Sequence, residues 1–257
     1  MQETNTPLRP FRLLIFGVTI ALVVLGAALI VLAIGRAGAP ATPERVNALV
    51  NSENECVVCH QKTTPGIVEQ YGVSTMAAAE VTCQQCHQVK ADYPEAIEHE
   101  GVYILASPTT TMCATCHANE VAQYNQSRHA LPAYVAVLGS KELSPEHLMM
   151  YEAIPEGSYA PDKSRNAIAE MEGPNMTRFT CEACHNIGRP AADGSVGQCQ
   201  KCHLRHEFSL EQARKPETCN ACHIGPDHPQ YEIYIESPHG TAYHTMGPNW
   251  NWEAEPG

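Results

Sequence analysis

Cys199-Gln200-Lys201-Cys202-His203 and, a short distance on, Cys219-Asn220-Ala221-Cys222-His223 share the pattern Cys-x-x-Cys-His. The pattern recurs at Cys56-Cys59-His60, Cys83-Cys86-His87, Cys113-Cys116-His117 and Cys181-Cys184-His185, and the six copies together use all 12 cysteines of the chain. Two thiols three positions apart on a helical turn can add to the two vinyl groups of one haem, and the histidine that follows then lies under the ring as an axial iron ligand. Zinc ribbons, redox dithiols and disulfides also use paired cysteines. None of them explains a histidine directly after every pair. With 13 histidines in 257 residues, chance would place one at all six positions on the order of once in ten million sequences or less. The motifs therefore predict six covalently bound haem c groups, with His60, His87, His117, His185, His203 and His223 as the proximal iron ligands.

Composition supports this reading. Aromatic residues are 6 % and charged residues 17 % of the chain, with only four phenylalanines, so a core built from protein alone would be thin for this length. Haem is the predicted hydrophobic filler. Acidic residues outnumber basic ones 28 to 16 and the formal net charge is -12. That balance excludes nucleic acid as a partner and favours basic redox proteins.

Seven histidines lie outside the motifs: His99, His129, His147, His206, His228, His239 and His244. A low-spin electron-transfer haem needs a second axial ligand, so these are the candidate distal ligands. His129 and His239 stand in a weak repeat, Tyr124-Asn125-Gln126-Ser127-Arg128-His129 against Tyr234-Ile235-Glu236-Ser237-Pro238-His239, each after a motif. His206 and His228 follow the fifth and sixth motifs too closely to cross to the far side of their own ring, and each is predicted to serve a neighbouring haem. His99, His147 and His244 complete the candidates. Met76, Met112, Met149 and Met150 are potential thioether ligands, a role in which methionine is less common than in packing.

Arg9 and Arg12 precede an apolar run from Leu13 to Ile34. At about 1.5 Å per residue such a run spans a hydrocarbon core of about 30 Å. The predicted organisation is a cytoplasmic tail at 1–12, a single transmembrane anchor at 13–34, a linker at 35–52 and a hexahaem domain at 53–257, with haem groups at 53–120 and 178–245 separated by a helical stretch. A cleaved signal peptide ending near Ala37-Gly38-Ala39 is the alternative. Basic residues ahead of the anchor place the N-terminus in the cytoplasm and the haem domain on the periplasmic side of the cell membrane. Glu120 to Leu138 and Ser144 to Glu152 read as helices, Pro155 to Pro161 as a turn-rich break, and strand signals are nearly absent. The predicted fold is mainly α, with short helices and long loops packed around haem and little or no β.

From Arg205-His206-Glu207-Phe208-Ser209 through Cys219-Asn220-Ala221-Cys222-His223-Ile224-Gly225-Pro226-Asp227-His228-Pro229-Gln230 to Ser237-Pro238-His239-Gly240 and Trp250-Asn251-Trp252, the chain resembles the hydroxylamine oxidoreductase-like multihaem cytochromes. The likeness is specific over 181–252 and looser over 53–150. It implies a helical protein of mostly bis-histidine haems, with His206, His228 and His239 as distal ligands. Enzymes of that family carry eight haems, one of them an active-site haem without a protein distal ligand, whereas six motifs are present here. In layout the chain is more similar to the membrane-anchored multihaem subunits of quinone-linked complexes.

The function read from these observations is electron relay between a quinone-linked membrane partner and an extracytoplasmic donor or acceptor, as a subunit of a larger redox complex and not as an enzyme itself. The alternative is an enzyme acting on a small nitrogen compound, hydroxylamine or nitrite, at a five-coordinate haem. A pyridine haemochromogen assay combined with intact mass is expected to give six haems per chain, and a lower ratio would show that a motif is not loaded.

Overall fold

The computed structural model describes residues 18–20, 22–27, 54–154, 162–252 and 254. The chain divides into two compact units, Met1–Asn51 and Ser52–Gly257. In the first, residues 18–20 and 22–27 are helical. Among the described residues no helix is long and apolar enough to cross a membrane. The tail 1–12, most of the predicted anchor 13–34, the linker 35–52 and the break at Pro155 to Pro161 lie outside the described residues.

The second unit is mainly helical. Its helices are α1 Glu55–Thr63, α2 Pro65–Gly72, α3 Thr75–Ala78, α4 Cys83–His87, α5 Thr110–Ala114, α6 Ala118–Asn125, α7 Leu131–Leu138, α8 Pro145–Glu152, α9 Ala167–Thr177, α10 Glu182–His185, α11 Leu210–Arg214, α12 Pro216–Asn220, α13 Gln230–Glu236 and α14 Pro238–Met246. None of these is longer than 11 residues, below the ~12–15 residues at which an isolated helix becomes marginal in water. Such elements form only where caps and tertiary contacts hold them. The Asn54 side chain accepts from the backbone N–H of Cys56 and Val57 at the start of α1, and Ser144 caps α8 by accepting from His147 N–H, ahead of Pro145 in the first turn. α9 is two pieces, because Gly173 leaves the helical region at φ 74 and Pro174 starts a new turn.

One sequence expectation changes here. The helix predicted over Glu120 to Leu138 is broken between α6 and α7. There the turn through Ser127 and Ala130 redirects the chain, and Pro132 in the first turn of α7 cannot continue a preceding helix. There is also a small antiparallel sheet, β1 Gln88–Val89, β2 Ile97–His99 and β3 Val102–Ile104, in the order β1-β3-β2.

The protein core is small and centres on α7. Leu131 and Val135 pack with Ala130, Tyr151 and Val196, while Val137 and Leu138 pack with Ala169. α7 is apolar on nearly every face, as a helix buried on several sides must be. The loop 190–197 joins it through Val196 and ties the two motif groups together. Asp193 accepts from Tyr93 Oη and Thr109 Oγ1, both at 2.6 Å, and from Ser195 Oγ at 2.7 Å, while Thr110 Oγ1 donates to Gly197 O at 2.9 Å in a buried position. Burial alone would raise the Asp193 carboxyl. The hydrogen bonds from Thr109, Tyr93 and Ser195 outweigh it and hold this group well below the usual carboxylate range.

A depressed carboxyl adds stability above its unfolded value of about 3.9 and loses it as pH falls through that range toward the folded value. Asp193→Asn is expected to cost about 1–2 kcal/mol at pH 7, the lower part of the span for charged hydrogen bonds because the site is partly solvated. The gap between denaturant melts of the two proteins should begin to close below about pH 4 and go on shrinking as the pH falls further; a gap that stays constant over that range would assign the cost to shape and not to charge.

Candidate haem sites

Each motif histidine must present one ring nitrogen to iron, and the other nitrogen decides how. His87 Nδ1 donates to Leu105 O at 2.7 Å and His185 Nδ1 donates to Ala133 O at 2.6 Å. A carbonyl only accepts, so both rings carry their proton on Nδ1 and leave the Nε2 lone pair free, which is the neutral ligating tautomer. His60 Nδ1 lies 2.7 Å from Thr64 Oγ1 and His223 Nδ1 lies 3.1 Å from Gln230 Oε1. His117 Nδ1 faces Glu120 at 3.9 Å.

The structure then pairs motif histidines with histidines from outside the motifs. His60 and His99 have ring centroids 6.0 Å apart, His87 and His206 6.2 Å, His129 and His223 6.0 Å, and His185 and His228 6.1 Å. A metal–imidazole bond of about 2 Å on each side, plus roughly 1.1 Å from nitrogen to ring centre, puts two axial imidazoles about 6 Å apart. The four pairs therefore fit iron ligated from both sides. Burial, with His223 alongside, lowers His129; burial, with His87 first among its charged neighbours, lowers His206. Both rings are thus neutral near pH 7, as a ligand must be.

Chain topology explains the pairing. The β2–β3 hairpin carries His99, and the turn between α6 and α7 carries His129. That turn is fixed by Tyr124, whose hydroxyl contacts His129 O at 2.8 Å and Ile187 O at 2.6 Å, and by Ser127 Oγ, which accepts from His129 N–H at 3.2 Å. Gly188 lies against the same turn, and a Cβ there would overlap the Ala130 carbonyl oxygen. In the second copy of the Tyr-x-x-Ser-x-His repeat the Ser N–H again donates to the Tyr carbonyl, from Ser237 to Tyr234 at 3.0 Å, as from Ser127 to Tyr124 at 2.8 Å. His239 and His244, however, are exposed on α14, and among the described residues no second histidine ring lies at comparable spacing. His117 and His203 likewise have no imidazole partner at about 6 Å among the described residues; burial and then His117 lower His203.

His147 is placed differently. Its ring is 7 % exposed, Nδ1 lies 2.9 Å from Ser144 Oγ and Nε2 donates to Gly194 O at 3.0 Å. Both nitrogens are engaged by protein, so no lone pair is left for iron. Met150 packs on the α7 core and Met149 is exposed.

The cysteines show which motifs are neighbours. Burial and then Cys56 raise Cys83; burial and then Cys116 raise Cys86. A hydrogen bond from Cys113 brings Cys199 down to about 7. Burial and then Cys219 raise Cys202, and burial and then Cys184 push Cys222 up to about 11. In chain numbering the motifs thus adjoin in the order 1, 2, 3, 5, 6, 4. Val58 inside motif 1, Leu204 after motif 5 and Ile224 after motif 6 offer exposed apolar side chains of the kind a porphyrin face requires.

Residues 79–256 match the family described as seven times multi-haem cytochrome CxxCH. The chain belongs to this multihaem cytochrome family. Motif 1, at Cys56-Cys59-His60, precedes the matched region, and its assignment rests on the pattern and on the His60–His99 spacing. The cytochrome is 28 % identical over 247 residues to a "Probable nitrite reductase-hydroxylamine oxidoreductase fusion protein" of Kuenenia stuttgartiensis, covering 83 % of this chain and 24 % of that protein. Among solved structures it is similar to a "Hypothetical multiheme protein", with a TM-score of 0.63 and 26 % identity over 82 % of this chain and 51 % of the other. A weaker likeness, with a TM-score of 0.45 and 24 % identity over 78 % of this chain and 37 % of the other, is to the Kuenenia stuttgartiensis reducing HAO-like protein complex. The chain thus spans about a quarter of the curated relative and about half of the solved one. The resemblance to hydroxylamine oxidoreductase-like cytochromes read from the sequence agrees with the curated relative.

The residues that orient the ligands had little signal in the sequence. Leu105 and Ala133 act through their carbonyls, which any residue supplies, while Thr64 and Gln230 lie close after their histidines and could have been sought there. The two kinds of histidine are separable by experiment. His206→Ala is expected to convert one haem from low to high spin in electron paramagnetic resonance. His147→Ala should leave the spin count unchanged and lower stability by about 2–4 kcal/mol through two lost hydrogen bonds and a cavity.

Proposed function

We propose that this multihaem cytochrome is a membrane-anchored hexahaem electron relay, taking electrons from or passing them to a quinone-linked partner in the membrane and exchanging them with a redox protein on the periplasmic side. The observation that carries the reading is the set of four imidazole pairs at 6.0 to 6.2 Å. Iron held between two imidazoles has no open position for a substrate. Bound haem supplies one-electron ferric/ferrous chemistry; the chain supplies the two ligands, the Nδ1 contacts that orient them and short separations between motifs.

In this reading His99, His206, His129 and His228 are the distal partners of His60, His87, His223 and His185. His239 and His244 are the proposed ligands for His117 and His203. Tyr243, on α14 between them, lines a cleft of about 540 Å³ with Lys201 and Leu204, which flank His203. His147 is left out of the ligand set because both its nitrogens are engaged. The anchor rests on the length of the apolar run from Leu13 to Ile34, and the periplasmic location on the basic residues ahead of it.

One observation favours a second reading. The His228 ring lies 6.1 Å from His185 and also 6.3 Å from His223, which His129 already partners. If His228 served as a proton donor between the two motifs and not as a ligand, the iron of motif 4 would be open to a small nitrogen compound, the class named in the curated relative's description.

Spectra of the oxidised, purified protein before and after addition of cyanide, hydroxylamine and nitrite separate the two. The relay reading expects low-spin iron throughout and no response. High-spin iron amounting to one haem in six that binds these ligands would replace the relay with an enzyme.

A further inference from the structure

We propose that the outer face of the β2–β3 hairpin, residues 97–104, is the docking surface for a small redox protein with a lysine-rich rim around its own redox centre. This rests on the relay reading and adds where the exchange takes place. Register makes the hairpin two-sided. Ile97 pairs with Ile104 and His99 with Val102, so these four share the face on which His99 meets His60, while Glu98 pairs with Tyr103 on the other. The apolar inner face suits a porphyrin held between His60 and His99, and the outer face is left to solvent.

The hairpin is built to hold its shape. Its two-residue turn, Glu100-Gly101, has φ of 49 and 81 at the two positions, the primed geometry that matches strand twist, and the Glu98 carboxylate accepts from Gly101 N–H at 2.9 Å. A rigid support keeps the ligand His99 and the outer residues in fixed relation.

Charge and position choose the partner. From Asp92 to Glu100 the chain places four exposed carboxylates, Asp92, Glu95, Glu98 and Glu100, with no lysine or arginine among them; exposed Lys90 lies just before. Tyr103 is 39 % exposed beside them and offers an amphipathic anchor. Motif 1 stands at one end of the neighbour order 1, 2, 3, 5, 6, 4, so the ring pair His60–His99 is a terminus of the relay. A partner seated on Glu98 and Tyr103 is separated from it by a single β-layer. An acidic surface at a terminal haem steers a cation-rich partner and speeds encounter most at low salt.

The test uses the full haem-loaded protein and, as probe, a small lysine-rich monohaem c-type cytochrome. Stopped-flow rate constants are measured against ionic strength for the wild type, for the hairpin variant Glu95→Lys/Glu100→Lys, which leaves the Glu98–Gly101 bond in place, and for the control Glu236→Lys, which reverses an exposed charge on α13. The hairpin variant is expected to lose about tenfold in rate at low salt and most of its salt dependence, and the control to stay within about twofold. Haem content, Soret spectrum and reduction by dithionite should be the same in all three. An unchanged rate in the hairpin variant, or an equal loss in the control, overturns the docking face while leaving the relay intact. A wild type that dithionite reduces fully but that exchanges electrons with no protein probe at any salt overturns the relay reading itself.

Discussion

The pairing of two imidazoles about 6 Å apart, drawn from positions far apart in the chain, is the constraint on which the rest of this structure depends. His60 and His99 come from a helix and a hairpin; His87 and His206 come from opposite halves of the haem domain. To bring such pairs to one spacing, the backbone must give up long regular elements. Short capped helices and tight turns follow directly. So does the small core, because buried side chains gather around α7 and little else, and packing energy of the usual kind is concentrated there. A multihaem cytochrome in this form is a ligand scaffold first and a packed domain second.

How much of this was legible in the sequence depends on the range of the interaction. The six motifs are local, five residues each, and every feature of them could be read directly. The mainly helical class followed from the same source. The Tyr-x-x-Ser-x-His repeat located the turn that carries His129, and the structure shows its two copies built on the same Ser-to-Tyr backbone bond. Yet only the first copy brings its histidine to a motif ring. The difference lies in Tyr124 and Gly188, which clamp the first copy between α7 and the turn after His185, a tertiary contact that no local pattern announces. The unbroken helix expected over Glu120 to Leu138 failed for the same reason. The turn held by Tyr124, together with Pro132, interrupts it between Asn125 and Leu131, and that turn carries His129.

His147 marks a limit of another kind. As one of seven spare histidines it looked like a ligand, and composition alone has no way to tell a ligand from a buried structural histidine. The distinction is electronic. A ligand needs one free lone pair, as His87 and His185 have because a carbonyl fixes the proton on Nδ1. His147 has partners on both nitrogens, one of them Gly194 O from a loop 47 positions away in the chain.

That loop also explains why the division of the motifs into two groups along the chain does not persist in space. Read linearly, motifs 1 to 3 and 4 to 6 are separated by the stretch after His117. In the folded chain Asp193 and Gly197 gather Tyr93, Thr109 and Thr110 from the first group, and Cys113 meets Cys199. The fifth motif, not the fourth, thereby becomes the neighbour of the third. The step from motif 3 to motif 5 in the order 1, 2, 3, 5, 6, 4 thus goes with one partly solvated polar knot, whose carboxylate is held well below its ordinary range by three hydroxyl donors. A relay needs its centres at short and fixed separations, and polar groups that must all be satisfied at once specify position more strictly than apolar contact does.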